Sequence, residues 1–304
     1  MLTSAPIRIW NRQKQQEEIE RVYGQRWMEL AYGTKPGQLI TDHVLSRKAL
    51  SKLYGLYQGS SLSRSKVDPF IREFGIAMEE FEPGPFRSFN EFFIRPFKPG
   101  ARQFVTNAAS LPAFCEARYL AWDHVLPGQT FPVKGASLSP SVLLGEDERP
   151  AGRGWAHRFA GGPLVIARLC PTDYHRFHYP DSGNTVSYYT IPGKLHSVNP
   201  IALRLNSDIF WTNERQVSIL ETEHFGTLAY IEVGALCVGR IVQSHPARKP
   251  FRRGDEKGYF LFGASTVILL GEPGRWTPDP DILERTSRQM ETFVQLGEKI
   301  GLTF

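Results

Sequence analysis

The rhythm of hydrophobic and polar positions changes near residue 105. Before it, residues 12–33 are rich in Gln, Glu, Arg and Leu, and residues 43–57 and 66–80 space apolar side chains at helical intervals. In "SLSRSKVDPFIREFGI", Val67, Phe70, Ile71 and Phe74 share one side behind a serine start. After residue 105, short Val/Ile/Tyr-rich runs recur: "LVIARL", "TVSYYTI", "VSILET", "TLAYIEV", "CVGRIVQS" and "TVILL". Gly, Pro, Asn or Asp punctuates most connections, the mark of successive strands. No long helical pattern alternates with them, which argues against a doubly wound parallel sheet. The segment "DILERTSRQMETFVQLGEKIG" predicts a last helix, N-capped by Asp281 and stopped at Gly297 or Gly301. The pattern therefore predicts an α+β fold, with a helical N-terminal region (1–105), a β-rich, mostly antiparallel region (106–304) and a C-terminal helix.

Composition refines this picture in three places. Hydrophobic residues are 41% and charged residues 22% of 304, enough to bury a core and too apolar for long disorder. The formal charge of +5 favours an anionic partner, such as an acidic membrane surface or a phosphate-bearing substrate. No RRM, zinc-finger or helix-turn-helix signature accompanies it, so nucleic acid is not expected. Cys115, Cys170 and Cys237 are odd in number and lack CxxC spacing, which speaks against a disulfide framework or a structural zinc site. The first residues, "MLTSAPIRIWNRQKQQEEIERVYG", lack the apolar core of a secretory signal, and no apolar run approaches the ~18 residues of a membrane span. The expected location is the cytosol or one face of a membrane. "FRSFNEFFIRPFKPGARQF" interleaves Arg87, Arg95, Lys98 and Arg102 with phenylalanines. It reads as a solvated basic face over an aromatic core, or as a surface for lipid headgroups.

Three stretches are candidates for chemistry. In "GDEKGYFLFGASTVILLGEPG" the small residues Gly263, Ala264, Ser265 and Thr266 interrupt two β-forming runs. They mark a bulge or close backbone approach, or a reactive Ser265 whose neighbours leave the preceding carbonyl open. "RLCPTDYHRFHYP" sets His175 and His178 three apart, as general acid/base groups or solvated loop residues. No third zinc ligand stands out, so no metal is expected. Glu116, in "LPAFCEARYLAW", is a carboxylate among apolar neighbours, paired with Arg118 or exposed, or else the orienting member of a nucleophile–base set.

Together these stretches resemble the phosphatidylserine decarboxylase proenzymes. The likeness runs from "IWNRQKQQEEIERVYG" through "SFNEFFIRPFKPGAR", "RLCPTDYHRFHYP", "SVNPIAL" and "NERQVSILETEHFGTLAYIEVGALCVGRI" to "GDEKGYFLFGASTVILL". The resemblance implies self-cleavage between Ala264 and Ser265, leaving a β chain (1–264) and an α chain (265–304) capped by a pyruvoyl group made from Ser265. That covalent pyruvoyl cofactor would act as an electron sink for loss of CO2 from a phospholipid substrate. It also implies His178 as the base for self-cleavage, His175 as a group for substrate decarboxylation, and Glu116 at the family's orienting Asp. The implied setting is peripheral, on the cytoplasmic face of an anionic membrane, with an oligomer possible. Glu116 for Asp, Ala264 for Gly and Arg240 for a small hydroxyl depart from the family pattern, so slow maturation is expected. Two alternatives stay open at this level: a pyruvoyl decarboxylase of a different amino acid, and a non-processing member with a binding or structural role.

Overall fold

The computed structural model describes residues 6–41, 48–125, 139–146, 154–198, 202, 209–235, 240–263 and 265–304. Ala264, Cys237, the start of the 43–57 helix and the start of "CVGRIVQS" lie outside the described residues. Nine α-helices are described: α1 (Gln25–Gly33), α2 (Lys35–Ile40), α3 (Lys48–Gly59), α4 (Val67–Phe74), α5 (Phe89–Phe93), α6 (Pro140–Leu144), α7 (Ala156–Phe159), α8 (Ile209–Thr212) and α9 (Pro280–Ser287). The strands of the N-terminal half are β1 (Arg8–Asn11), β2 (Gln16–Ile19), β3 (Ser110–Pro112) and β4 (Ala117–Trp122). They continue with β5 (Leu164–Leu169), β6 (Arg176–His178), β7 (Gly183–Ile191), β8 (Arg215–Thr222) and β9 (Thr227–Val233). The last six are β10 (Ile241–Gln243), β11 (Glu256–Phe260), β12 (Ser265–Gly271), β13 (Trp276–Pro278), β14 (Glu291–Val294) and β15 (Lys299–Thr303).

One large sheet has the order β2-β1-β14-β4-β5-β12-β9-β8-β7, and two three-stranded sheets have the orders β10-β11-β6 and β13-β15-β3. Every pairing is antiparallel except β1 with β14. The central strands β5, β9 and β12 are buried at every position, so they read as continuous apolar runs covered on both faces. Edge strand β7 instead alternates between half-buried and exposed positions. The fold is α+β, as the pattern predicts.

Two predicted helices are shortened. Within 12–33 only Gln25–Gly33 is helical, and Gln16–Ile19 pairs with β1 at the edge of the large sheet. The C-terminal helix starts behind Asp279 rather than Asp281, with Pro280 in its first turn, and stops at Ser287. Gln289 then takes φ +59, which breaks the helix, and Glu291–Val294 pairs between β1 and β4. Phe293, which helical spacing places on one side with Ile282, Leu283, Met290 and Leu296, is held by strand pairing instead. Sheet partners distant in sequence override a local periodicity that both structures can satisfy.

The Phe-rich stretch falls inside the protein. Phe89, Phe92 and Phe93 of α5 are buried and join Val67, Phe70 and Phe262 in an aromatic cluster, with Tyr23 and Tyr54 packed against it. Ser88 caps α5 by accepting a hydrogen bond from Glu91 N at 3.2 Å. Arg95 is buried too and the Arg102 side chain is largely covered, so the rings of α5 face the core rather than a lipid surface.

Candidate active site

Two chain connections run between the same pair of sheets. β5 pairs with β12 in the large sheet, and β6 pairs with β11 in the small one. The segment after Leu169 carries His175 and His178, and the segment after Phe260 leads to Ser265, which pairs with Leu169. Phe260 N donates to the His175 carbonyl at 2.9 Å, tying one crossing to the other. The third wall is α5: Phe93 lies over His175 with ring centroids 3.7 Å apart, and Asn90 Oδ1 accepts from Phe262 N at 2.8 Å. Gly263, two residues before Ser265, holds φ +144, a conformation that L side chains avoid.

Ser265 opens β12 and is fully buried, and its Oγ has no hydrogen-bond partner among the described residues. Thr266 Oγ1 is in the same condition on the opposite face. Buried hydroxyls without partners are uncommon and costly, by about 1–3 kcal/mol each. At Ser265 the hydroxyl is thus held free of competing bonds among the described residues.

Both imidazoles are neutral and of one tautomer. His175 Nδ1–H donates to the Asp173 carbonyl at 3.0 Å, which leaves a lone pair on Nε2, and that atom has no partner among the described residues. Burial lowers its pKa to about 3, with Arg95 and Arg118 adding to the effect and the Asp173 hydrogen bond opposing it. His178 Nδ1–H donates to the Gly254 carbonyl at 2.9 Å, and its Nε2 accepts from the Tyr174 hydroxyl at 3.1 Å. Burial lowers its pKa as well, opposed by the Gly254 bond. Gly254 itself has φ +85 and faces the Phe104 ring, so a side chain there would disturb the carbonyl that orients His178.

Glu116 does not hold His178. Arg102 grips it bidentately, Nε to Oε2 at 2.5 Å and Nη2 to Oε1 at 2.9 Å, and Leu296 N donates to Oε2 at 3.3 Å. Burial raises the Glu116 carboxyl above its ordinary value, and the Arg102 guanidinium works against this. The same arginine reaches Glu80 at 2.9 Å. Glu116 is nonetheless near: His178 N donates to the Phe114 carbonyl at 2.9 Å, two residues away. The structure thus gathers the two histidines, Ser265 and Glu116 in one region, but no hydrogen bond joins them into a triad.

Sequence reasoning missed what holds this region. Asp173 accepts from Cys170 N at 2.6 Å and from Arg118, while its carbonyl fixes His175. Arg118 Nε also lies 2.6 Å from Glu20, a charge contact without hydrogen-bond alignment. Arg168, paired with Thr266 across the sheet, binds Glu20 at 2.8 Å and Glu291 through its other edge. Glu20 is held near pKa 2: burial would raise it, but Arg168 and Arg118 prevail. Asp173 stands two residues before His175, and that spacing was the one signal on offer. Arg118 and Arg168 gave none, since charges inside β4 and β5 look like edge positions until their carboxylates arrive from the residue after β2, from the segment after β5 and from β14.

The chain therefore builds an antiparallel α+β core with a buried serine at a strand head and two buried histidines in the adjoining segment. Comparison with known proteins gives the family. Residues 89–302 match the model of the phosphatidylserine decarboxylase family. The chain is 38% identical over 298 residues to the phosphatidylserine decarboxylase proenzyme of Desulfitobacterium hafniense, covering 97% of this chain and 98% of that protein. It is 39% identical over 300 residues to that of Clostridium tetani, covering 98% and 99%. It is 39% identical over 297 residues to that of Ruminiclostridium cellulolyticum, covering 97% of each. The chain belongs to the phosphatidylserine decarboxylase family.

Proposed function

We propose that this chain cleaves itself at Ser265, carries the resulting pyruvoyl group, and decarboxylates phosphatidylserine to phosphatidylethanolamine at a membrane surface. The observation that carries the reading is the buried Ser265 Oγ without a partner among the described residues, at the head of a strand paired with β5, whose following segment carries both neutral imidazoles. In self-cleavage a base takes the Oγ proton and Oγ bonds to the carbonyl carbon of Ala264. The C–N bond then breaks, and the amide nitrogen takes up the proton, leaving an ester. Removal of the Ser265 α-proton breaks Cβ–Oγ and frees residue 264 as a carboxylate. Water hydrolyses the remaining enamine to pyruvoyl and ammonia. The pyruvoyl carbonyl supplies an electron sink when CO2 leaves.

His178 is the proposed base for Ser265, with Tyr174 on its Nε2 as the partner it must exchange. His175 is the proposed group for the substrate step. One observation favours the reverse for self-cleavage: among the described residues His175 Nε2 has no partner, and neither has Ser265 Oγ. His178→Ala and His175→Ala separate the two. The variant that stays full length lacks the base, and if both mature like wild type neither histidine is that base. Intact mass tests the whole reading: one 34.5 kDa species means no processing, and two chains, the smaller with a blocked N-terminus, mean a pyruvoyl enzyme. CO2 release from phosphatidylserine vesicles, compared with free amino acids, tests the substrate.

For the membrane, the supporting surface is α3 and the turn after it. Leu53 (64% exposed), Leu56 (64%) and Leu62 (74%) face outward, with Arg64 and Lys66 beside them. No described helix is long and apolar enough to cross a membrane. Peripheral attachment at the cytoplasmic face is the proposed arrangement.

A further inference from the structure

Arg95 is a buried cation without a counter-ion among the described residues. Its side chain is sandwiched between two rings, with Cζ 4.2 Å from the Phe81 centroid and 4.6 Å from that of Phe92. Only 1% of the residue is exposed. Nη1 donates to the Phe92 carbonyl at 3.3 Å and Nη2 to the Thr172 carbonyl at 3.0 Å, and Nε–H has no partner among the described residues. No described carboxylate comes within ion-pair distance of it. The contrast with its neighbours is sharp. Arg102 lies against Glu80 and Glu116, Arg118 against Glu20 and Asp173, and Arg168 against Glu20 and Glu291. Burial pulls the Arg95 guanidinium down to about 10, with Asp173 and Glu116 pulling the other way, so it remains charged at neutral pH.

An unpaired buried charge is among the costliest features a fold can keep. A guanidinium with open N–H groups is also the best-shaped donor for an oxyanion. Arg95 follows α5, which carries Phe93 onto His175 and Asn90 onto Phe262, and it bonds to Thr172 in the segment leading to His175. It therefore stands at the wall of the candidate active site.

We propose that Arg95 is the recognition site for an oxyanion of the substrate headgroup, either its carboxylate or its phosphodiester. This rests on the proposed function, because the headgroup of phosphatidylserine carries both. A carboxylate gripped by a guanidinium would be stabilised most before CO2 leaves, which opposes catalysis. The phosphodiester keeps its charge throughout the reaction and gains from a constant partner.

The test uses the processed enzyme, after wild-type decarboxylation of phosphatidylserine has been established; its failure at that point would sink the proposed function and not the Arg95 site. Inhibition constants are measured for glycerophosphoethanolamine, which has the phosphodiester and no carboxylate, and for serine, which has the reverse. Arg95→Met should weaken the inhibitor whose anion Arg95 holds by roughly 10- to 100-fold and leave the other within about twofold. Arg95→Lys keeps the charge without the fork and should raise KM for phosphatidylserine with little change in kcat. If Arg95 only staples α5 to Thr172, thermal stability falls while KM and both inhibition constants stay, and the proposal is overturned. A crystal of the wild-type enzyme with glycerophosphoethanolamine needs no variant. An oxyanion about 2.7–2.9 Å from Arg95 nitrogens is the expected result, and a ligand bound with no contact to Arg95 overturns it.

Discussion

Replacing Ser265 by Ala removes the proposed nucleophile together with a buried hydroxyl that bonds to nothing described. The Ser265→Ala chain should remain at full length, fold, and release no CO2 from phosphatidylserine. It should also be more stable than uncleaved wild-type chain isolated soon after synthesis, by about 1 kcal/mol, because an unsatisfied polar atom leaves the core. Denaturant unfolding of the two proenzymes reads this difference, and a clear loss of stability would mean that Ser265 Oγ has a bond in solution. The histidines make a second prediction at this scale. His175 has a folded pKa of about 3 against an ordinary 6.5, and His178 is also lowered. Below pH 6.5 the unfolded chain binds protons that the folded one refuses, so stability present above 6.5 is lost as pH falls toward 3. Glu20, lowered to about 2, adds a loss only below its ordinary 4.5. Between pH 6.5 and 4.5, His175→Phe should therefore unfold with a shallower pH dependence than the parent chain. An unchanged slope would mean that His175 titrates normally.

At the scale of elements, the contact between the two sheets near Ser265 includes a buried ion pair. Lys257 Nζ lies 2.5 Å from Glu232 and 2.8 Å from Gln243, with both charges almost wholly buried. Lys257 sits where the β6–β11 register slips, a bulge that turns its side chain toward the large sheet. Glu232 pairs with Val267, so it projects from the same face of the sheet as Ser265. Burial raises the Glu232 pKa and lowers that of Lys257, while each opposes the shift of the other. Removing one partner strands the other: Glu232→Leu alone should cost about 3–5 kcal/mol. The double variant Glu232→Leu/Lys257→Met should return to within about 1 kcal/mol of wild type, since apolar groups of similar volume need no desolvation. Denaturant midpoints at constant m-value measure the cycle. A double variant as unstable as the single one would show that the pair does more than fill the space between sheets.

At the scale of the whole molecule, the proposed cut would not release its product. β12 is central in the large sheet, β14 lies between β1 and β4, and β15 lies between β13 and β3. All three belong to the segment after the cut, so the α chain should stay threaded through two sheets. The two chains should co-elute in native gel filtration and separate only in denaturant; separation under native conditions would contradict the sheet order. The exposed leucines around α3 lead to a further expectation. Binding to anionic vesicles should exceed binding to neutral ones and weaken with salt, because exposed charges are screened over roughly 8–10 Å. Leu53→Ser/Leu56→Ser/Leu62→Ser should reduce vesicle sedimentation at every salt concentration. Equal binding to neutral and anionic lipid would remove the electrostatic part, and full binding by the triple variant would move the surface elsewhere.

Much of this was legible in the chain alone. Largely apolar runs announced β5, β9 and β12, because a strand buried on both faces is apolar except where a buried polar group such as Arg168 or Glu232 finds a partner. The small residues before "TVILL" marked Ser265, and the "HRFH" spacing marked the histidines. Local pattern could not say that Met290–Val294 would leave a helix, since the partners β1 and β4 lie far away in sequence. It could not pair charges either. Glu116 looked free to orient a histidine until Arg102 came round to take it, and Arg95 looked like one more surface cation among phenylalanines. Periodicity records which side of an element is buried, and so the sequence by itself determined the central strands of the large sheet and the candidate nucleophile, but not the edge strand β2 or the inserted strand β14. Which carboxylate meets which guanidinium, and which is left without one, depends on distances of a few ångströms between segments remote along the chain, and only the tertiary structure decided that.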